Sequence, residues 1–184
     1  MSRAAFQSSD PSQLIRSFCV LTRAFFQASG AYYWSRTPDG ELVGAECDAT
    51  ADGGDANSFR GTRRRSGDAS IALDAVQKRR PFFANHLDAG RYPWLSSNRA
   101  HAALAAPLLV SGEVVGAITY LKSSPGEGFD DAAVARITIL AAQLGTALEA
   151  LRLNQLSREE HRRASILVEV ATALHGLPDT AAVM

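Results

Sequence analysis

The sequence predicts an α+β fold organised around a central antiparallel sheet, and three observations carry that prediction. The stretch Ala102 to Lys122 reads as two apolar runs flanking a Ser111-Gly112 turn, with β-branched Val114, Val115, Ile118 and Thr119 in the second run: a β-hairpin. Neither arm alternates between apolar and polar residues, so both faces of these strands are covered and the hairpin belongs at the centre of a sheet. Helical periodicity opens the chain near Asp10 and closes it from Asp130 onward.

The elements follow in order. Residues Met1 to Ser9 are small and polar and are expected to fray. Asp10-Pro11-Ser12-Gln13 is a helix start, with Asp as N-cap, Pro in the first turn and Gln at the capping-box position. Leu14, Ile15, Phe18, Leu21, Phe25 and Phe26 recur at helical spacing, and Gly30 is the expected left-handed cap. Ala31 to Arg36 and Glu41 to Asp48 read as two strands joined by the Pro38-Asp39-Gly40 turn. A long loop from Ala49 to Asp68 follows, rich in Gly, Asp and Arg. Ser70 to Arg79 reads as a short helix, Pro81 to His86 as a third strand, and Asp88 to Asn98 as an irregular segment. The hairpin comes next. Pro107 cannot donate to a ladder, so a kink, a bulge or a sheet edge is expected there.

Phe129-Asp130-Asp131 then starts the longest periodic segment, with Asp130 as N-cap and Phe129 as a hydrophobic staple. Val134, Ile137, Ala141, Leu144, Leu148 and Leu151 step by threes and fours, as in a heptad seam. The polar run Ser157 to Arg163 interrupts the seam, which resumes at Leu167, Val170, Leu174 and Leu177. Such a stretch suits a solvated stalk.

Composition excludes several function classes. Lys plus Arg and Asp plus Glu both number 19, so net charge favours neither nucleic acid nor a membrane surface. The basic residues Arg158, Arg162 and Arg163 are interleaved with Glu159 and Glu160 and read as a solvated helix face rather than a DNA-reading one. No signal peptide is recognisable, and no apolar run reaches the roughly 18 residues needed to span a bilayer, so a cytoplasmic location is expected. The two cysteines, Cys19 and Cys47, read as buried free thiols, and no His, Cys or carboxylate cluster has metal-ligand spacing.

The run Leu104-Ala105-Ala106-Pro107-Leu108-Leu109-Val110-Ser111-Gly112-Glu113-Val114-Val115-Gly116, followed by Phe129-Asp130-Asp131 and a helix, resembles the closing motif of GAF domains. The resemblance covers roughly Asp10 to Leu156. It implies a GAF/PAS-like, three-layer arrangement: about six antiparallel strands, the first and last helices on one face and a ligand pocket on the other. It also implies a regulatory, small-molecule-sensing module of a larger signalling protein. Residues 10–156 would form the domain, and 157–184 a helical linker or the start of a following, truncated domain.

The resemblance places the pocket between the sheet, the short helix and the two irregular segments. Its candidate residues are Tyr33, Ser35, Phe59, Arg60, Ile71, Asn85, Trp94, His101 and Thr119. The Arg60, Arg63, Arg64, Arg65 cluster reads either as a solvated loop or as an anion cradle. GAF domains commonly dimerise through their terminal helices, which implies a homodimer through Leu14, Phe18, Leu21, Phe25, Ile137, Leu144, Leu148 and Leu151, signalling to an output domain. The ligand is not named by the sequence. Haem ligation by His86 or His101 is disfavoured because a strand histidine is more often a hydrogen-bonded core residue. Bilin attachment is disfavoured for want of a Cys-His pair.

Two alternatives stand beside sensing. One is a ligand-free dimerisation and spacer domain. The other is a thiol-dependent methionine sulfoxide reductase, disfavoured because the loops that would carry that chemistry contain no cysteine.

Overall fold

The computed structural model describes residues 10–53, 56–87 and 90–175. The expected frayed segment, residues 1–9, and the seam position Leu177 lie outside them, as do the side chains of Val170 and Leu174.

Six strands form one sheet in the order β3-β2-β1-β6-β5-β4, and every pairing is antiparallel. They are β1 (Gly30–Arg36), β2 (Leu42–Ala49), β3 (Arg63–Arg64), β4 (Phe82–Ala84), β5 (Ala102–Val110) and β6 (Glu113–Lys122). The helices are α1 (Pro11–Phe25), α2 (Ala56–Phe59), α3 (Ile71–Lys78), α4 (Pro93–Ser97) and α5 (Asp131–His175). The fold is therefore the α+β arrangement that the sequence predicts.

The central hairpin forms as expected. Ser111 and Gly112 both take left-handed backbone, φ 51° and 79°, as a two-residue type I′ turn requires. Pro107 sits past the last pairing of β4 with β5, Phe82 to Ala105, so its missing N–H faces an edge with no partner strand among the described residues. A register shift follows it, between Leu108 and Leu109.

Asp10 caps α1 by accepting from the Ser12 N–H at 3.0 Å, with Pro11 in the first turn. The expected stop at Gly30 is corrected. The helix ends at Phe25, the left-handed residue is Gln27 at φ 50°, and Ala28 N–H closes the end on Arg23 O. Gly30 instead opens β1. The third strand shrinks to Phe82–Ala84, and the long loop holds three elements with no sequence periodicity: a 3-10 turn at Ala51–Gly53, α2 and β3.

Two apolar clusters cover the two sheet faces. Leu14, Ile15 and Cys19 of α1 and Ile137 and Leu144 of α5 pack on Tyr33, Leu104, Ile118 and Tyr120. A buried chain of hydroxyls pins α1 to β6. Tyr120 Oη donates to Thr22 Oγ1 at 2.8 Å, and Thr22 Oγ1 donates to the Phe18 carbonyl at 2.6 Å. On the other face α2, α3 and α4 pack on Tyr32, Trp34, Ala103, Ala105 and Ala117.

This packing takes up much of the expected dimer seam. Leu14, Ile137 and Leu144 are buried within the one chain, and Phe18, Leu148 and Leu151 are half-buried against the same cluster. A helix docked on a sheet has the same apolar spacing as one facing a partner helix. Of the eight seam candidates, Leu21 and Phe25 stand out as exposed, at 51% and 57%. Val20, Ile139, Leu153, Leu156, Ile166 and Leu167 are exposed as well.

α5 runs unbroken for 45 residues, about 68 Å at 1.5 Å per residue, straight through the polar Ser157–Arg163 stretch. It includes an 18-residue window of mean hydropathy 1.3, so by length and composition one helix meets the minimum for crossing a membrane, which corrects the expectation that none does. Part of that helix is occupied here in covering the sheet, through Ile137, Ala141 and Leu144.

Candidate functional site

The face opposite α1 and α5 carries the site. Strand alternation sends Tyr32 and Trp34 of β1 to this side, while Tyr33 points to the other. Their neighbours on β5 and β6 are small. Thr119 pairs with Tyr32 and with Ala105, and Ala117 pairs with Trp34. This low floor leaves room for large rings above it. α2 delivers Phe59 and α4 delivers Trp94. With Tyr32 and Trp34 they form an aromatic box, with centroids 4.7 to 5.9 Å apart and mostly edge-to-face.

Arg64 closes the box. Its guanidinium lies 5.4 Å from the Trp34 ring centre and 5.8 Å from that of Trp94. Burial holds its pKa below the ordinary value, against the opposing charge of Asp68. The other three arginines of the cluster are engaged elsewhere: Arg60 with Glu46 at 2.8 Å, and Arg63 and Arg65 with Glu41 at 3.0 Å each. The charge run thus splits into a solvated set and one inward-turned member.

Beneath Arg64 and Trp94 lies a crevice of about 10 Å³, enough for roughly one water. Trp34, Ile71, Tyr92, Leu95 and Thr119 line it with them. Outside the same two residues opens a cleft of about 290 Å³, walled also by Asp68, Ala69 and Pro93. Arg64 and Trp94 therefore separate an inner crevice from an outer one. Tyr92 donates from Oη to the Asp74 carboxylate at 3.0 Å, and burial, then this bond, pushes its pKa up.

Two polar atoms on residues that line the crevice are unsatisfied. Trp34 Nε1 and Thr119 Oγ1 are buried, on residues 1% and 0% exposed, and neither has a hydrogen-bond partner among the described residues. Buried polar groups are nearly always paired, so two orphans on one crevice need an explanation.

The structure brings together four of the nine sequence candidates: Phe59, Ile71, Trp94 and Thr119. The others lie apart. Tyr33 is buried on the helix side, where its hydroxyl and Ser35 share a hydrogen bond. Arg60 is at the sheet edge with Glu46. Asn85 clamps the Phe129 backbone, donating to its carbonyl and accepting from its N–H, each at 2.8 Å. His101 is exposed where β5 begins, and its backbone N–H bonds Lys122 O. Sequence reasoning missed Tyr32, Trp34, Tyr92 and Leu95, and it singled out Arg64 only as one of the arginine cluster. The signal for the first two was present, since alternate residues of the Tyr32-Tyr33-Trp34 run must share a face.

Both thiols are unlike activated ones. Burial pushes Cys19 and Cys47 above the ordinary value of 9.0, and neither lines the crevice. Among the described residues no group of three His, Cys, Asp or Glu side chains is placed to hold a metal ion.

Known structures share this fold. The phycoerythrobilin-bound GAF domain of a cyanobacterial phytochrome superimposes with a TM-score of 0.69 at 13% identity, over 83% of this chain and 92% of that one. Free methionine-R-sulfoxide reductase from Neisseria meningitidis, in complex with its substrate, does so with a TM-score of 0.67 at 18% identity, over 82% and 85%. The second GAF domain of DevS from Mycobacterium smegmatis gives 0.62 at 19%, over 82% and 99%. No curated protein matches the sequence. The family model for the GAF domain matches residues 8–149. The chain therefore belongs to the GAF domain family, whose members are mostly sensory and regulatory modules of signalling proteins.

Proposed function

We propose that this GAF domain is a ligand-sensing module rather than an enzyme, and that its ligand enters the crevice between the sheet, α3 and α4. The observation that carries the reading is the pair of buried, unpartnered polar atoms, Trp34 Nε1 and Thr119 Oγ1, on two residues that line the crevice. A ligand able to bond both would relieve two desolvation costs at once. The neighbouring 290 Å³ cleft supplies room once Trp94 and Arg64 move aside.

The signal leaves through α5. Thr119 lies on the same hairpin as Ser111, whose hydroxyl donates to Glu149 of α5 at 2.6 Å. A shift of the hairpin is thereby passed to the helix. We place the dimer contact on the exposed residues Val20, Leu21 and Phe25 of α1 and Ile139, Leu153 and Leu156 of α5. On this reading residues 157–184 link the domain to an output domain, and the protein works in the cytoplasm.

The small crevice favours a second reading, in which the domain binds nothing and serves as a dimeric spacer. Native mass spectrometry of the purified chain, followed by a thermal-shift screen of small metabolites, separates the two. Sensing predicts a retained mass or a stabilising compound whose effect falls in Thr119→Val and Trp34→Phe. If no compound is retained and none stabilises the wild type, the spacer reading stands. Independently, Leu153→Glu with Leu156→Glu is expected to give a monomer. A dimer that survives both changes removes α5 from the interface.

A further inference from the structure

Donors, one of them fully charged, lead among the polar groups around the crevice, and this extends the sensing reading, on which the inference rests, to the class of ligand. Trp34 Nε1 only donates, Arg64 only donates and carries a full charge, and Thr119 Oγ1 donates freely because nothing else engages it. A fourth contribution comes from the backbone. Ser70, Ile71 and Ala72, the opening of the eight-residue α3, line the same crevice. Ser70 is the N-cap but its side chain makes no capping hydrogen bond, so the first N–H groups of α3 lack that acceptor.

No carboxylate lines the inner crevice. The nearest acids stand outside it or are engaged: Asp68 accepts from Arg65 N–H at 2.7 Å, and Asp74 accepts from Tyr92. Among the described residues, Arg64 has no carboxylate within ion-pair distance, unlike Arg60, Arg63 and Arg65. Arg64, Trp34, Thr119 and the open start of α3 thus line one space walled otherwise by Ile71, Leu95 and Trp94; the Arg64 guanidinium makes one hydrogen bond, from Nη1 to the Arg63 carbonyl at 2.9 Å.

We propose that the crevice takes a small monocarboxylate with a flat apolar body, its carboxylate held by Arg64, Trp34 Nε1 and Thr119 Oγ1 beside the start of α3. One full positive charge matches one negative charge. A phosphate dianion would leave charge uncompensated in a desolvated site, and a cation would meet the full positive charge of Arg64. The apolar body replaces the contacts that Trp94 makes with Trp34 and Tyr32 in the closed box.

The chain offers its own reporter. Its two tryptophans, Trp34 and Trp94, are both in the box, so intrinsic fluorescence reads the site alone. Phenylacetate, phenylacetamide, phenethylamine and inorganic phosphate are titrated into the 184-residue protein, with calorimetry in parallel. Phenylacetate is expected to bind about tenfold or more tighter than its amide, the worth of a charge-assisted hydrogen bond. Arg64→Gln is expected to bring acid and amide to within about twofold, while Arg64→Lys keeps part of the preference. An amide that binds as well as the acid, a preference that survives Arg64→Gln, or phosphate binding more tightly than phenylacetate overturns the carboxylate assignment and leaves sensing intact. If none of the four binds, the carboxylate assignment fails, and the metabolite screen decides sensing separately.

Discussion

The carbonyl oxygen of Leu109 lies 2.1 Å from where a Cβ on residue 145 would stand, so α5 rests directly on β5 at Gly145. The clash is with backbone, which cannot swing aside. Gly145→Ala is expected to lift the helix or strain the strand and cost about 1–3 kcal/mol, as overpacking does. Urea denaturation checks this. An unchanged midpoint would mean that the helix–sheet contact is looser than described.

Thr119→Val exchanges a buried, unpartnered hydroxyl for a methyl of similar shape. Removing an unmet desolvation cost should stabilise the unliganded domain by about 1–2 kcal/mol while weakening ligand binding. Opposite signs for stability and affinity are the expected mark of a site held at the expense of the fold. A destabilised Thr119→Val would show that the hydroxyl is satisfied.

Asn85→Ala removes both hydrogen bonds that hold Phe129 just ahead of α5. It should cost about 2–3 kcal/mol. Because Asn85 sits away from the crevice, fluorescence from Trp34 and Trp94 should keep its wild-type maximum. A shifted maximum with unchanged stability would return Asn85 to the site.

Alkaline titration tests the core. Burial pushes all four tyrosines, Tyr32, Tyr33, Tyr92 and Tyr120, above the ordinary value of 10.0, and Cys19 and Cys47 above 9.0. The native state then holds protons that the unfolded chain releases. Stability is full below pH 9 and falls as pH rises past the unfolded values, by up to about 1.4 kcal/mol per pH unit for each group. Absorbance at 295 nm should show phenolate from Tyr32 and Tyr120 only together with the loss of circular dichroism. Phenolate from these residues ahead of unfolding would contradict their burial.

What the sequence made legible follows physical lines. The Ser111-Gly112 turn and the Asp10-Pro11 helix start were readable because their chemistry is local. β3, α2 and α4 were not, since elements of two to five residues carry no period and are fixed by what they pack on. Phe59, Ile71, Trp94 and Thr119 lie together on the face where the pocket was expected. Tyr33 was placed on the wrong side because Tyr32, Tyr33 and Trp34 are all aromatic, and without alternation only the pairing register tells the faces apart. The seam from Val134 to Leu151 was real, but its spacing does not say whether a sheet or a second helix receives it.

The length of α5 gives the domain a mechanical gain. Its first turns are clamped to the sheet, while from Leu151 to His175 the helix projects about 36 Å at 1.5 Å per residue. A tilt of about 5° at the clamped half carries the far end through about 3 Å, more than a hydrogen-bonded contact can follow. Displacements of the hairpin that are too slight to alter the sheet are enlarged along this lever arm. On the sensing reading, an opening of the crevice that moves the hairpin only slightly would therefore still be read at a distance.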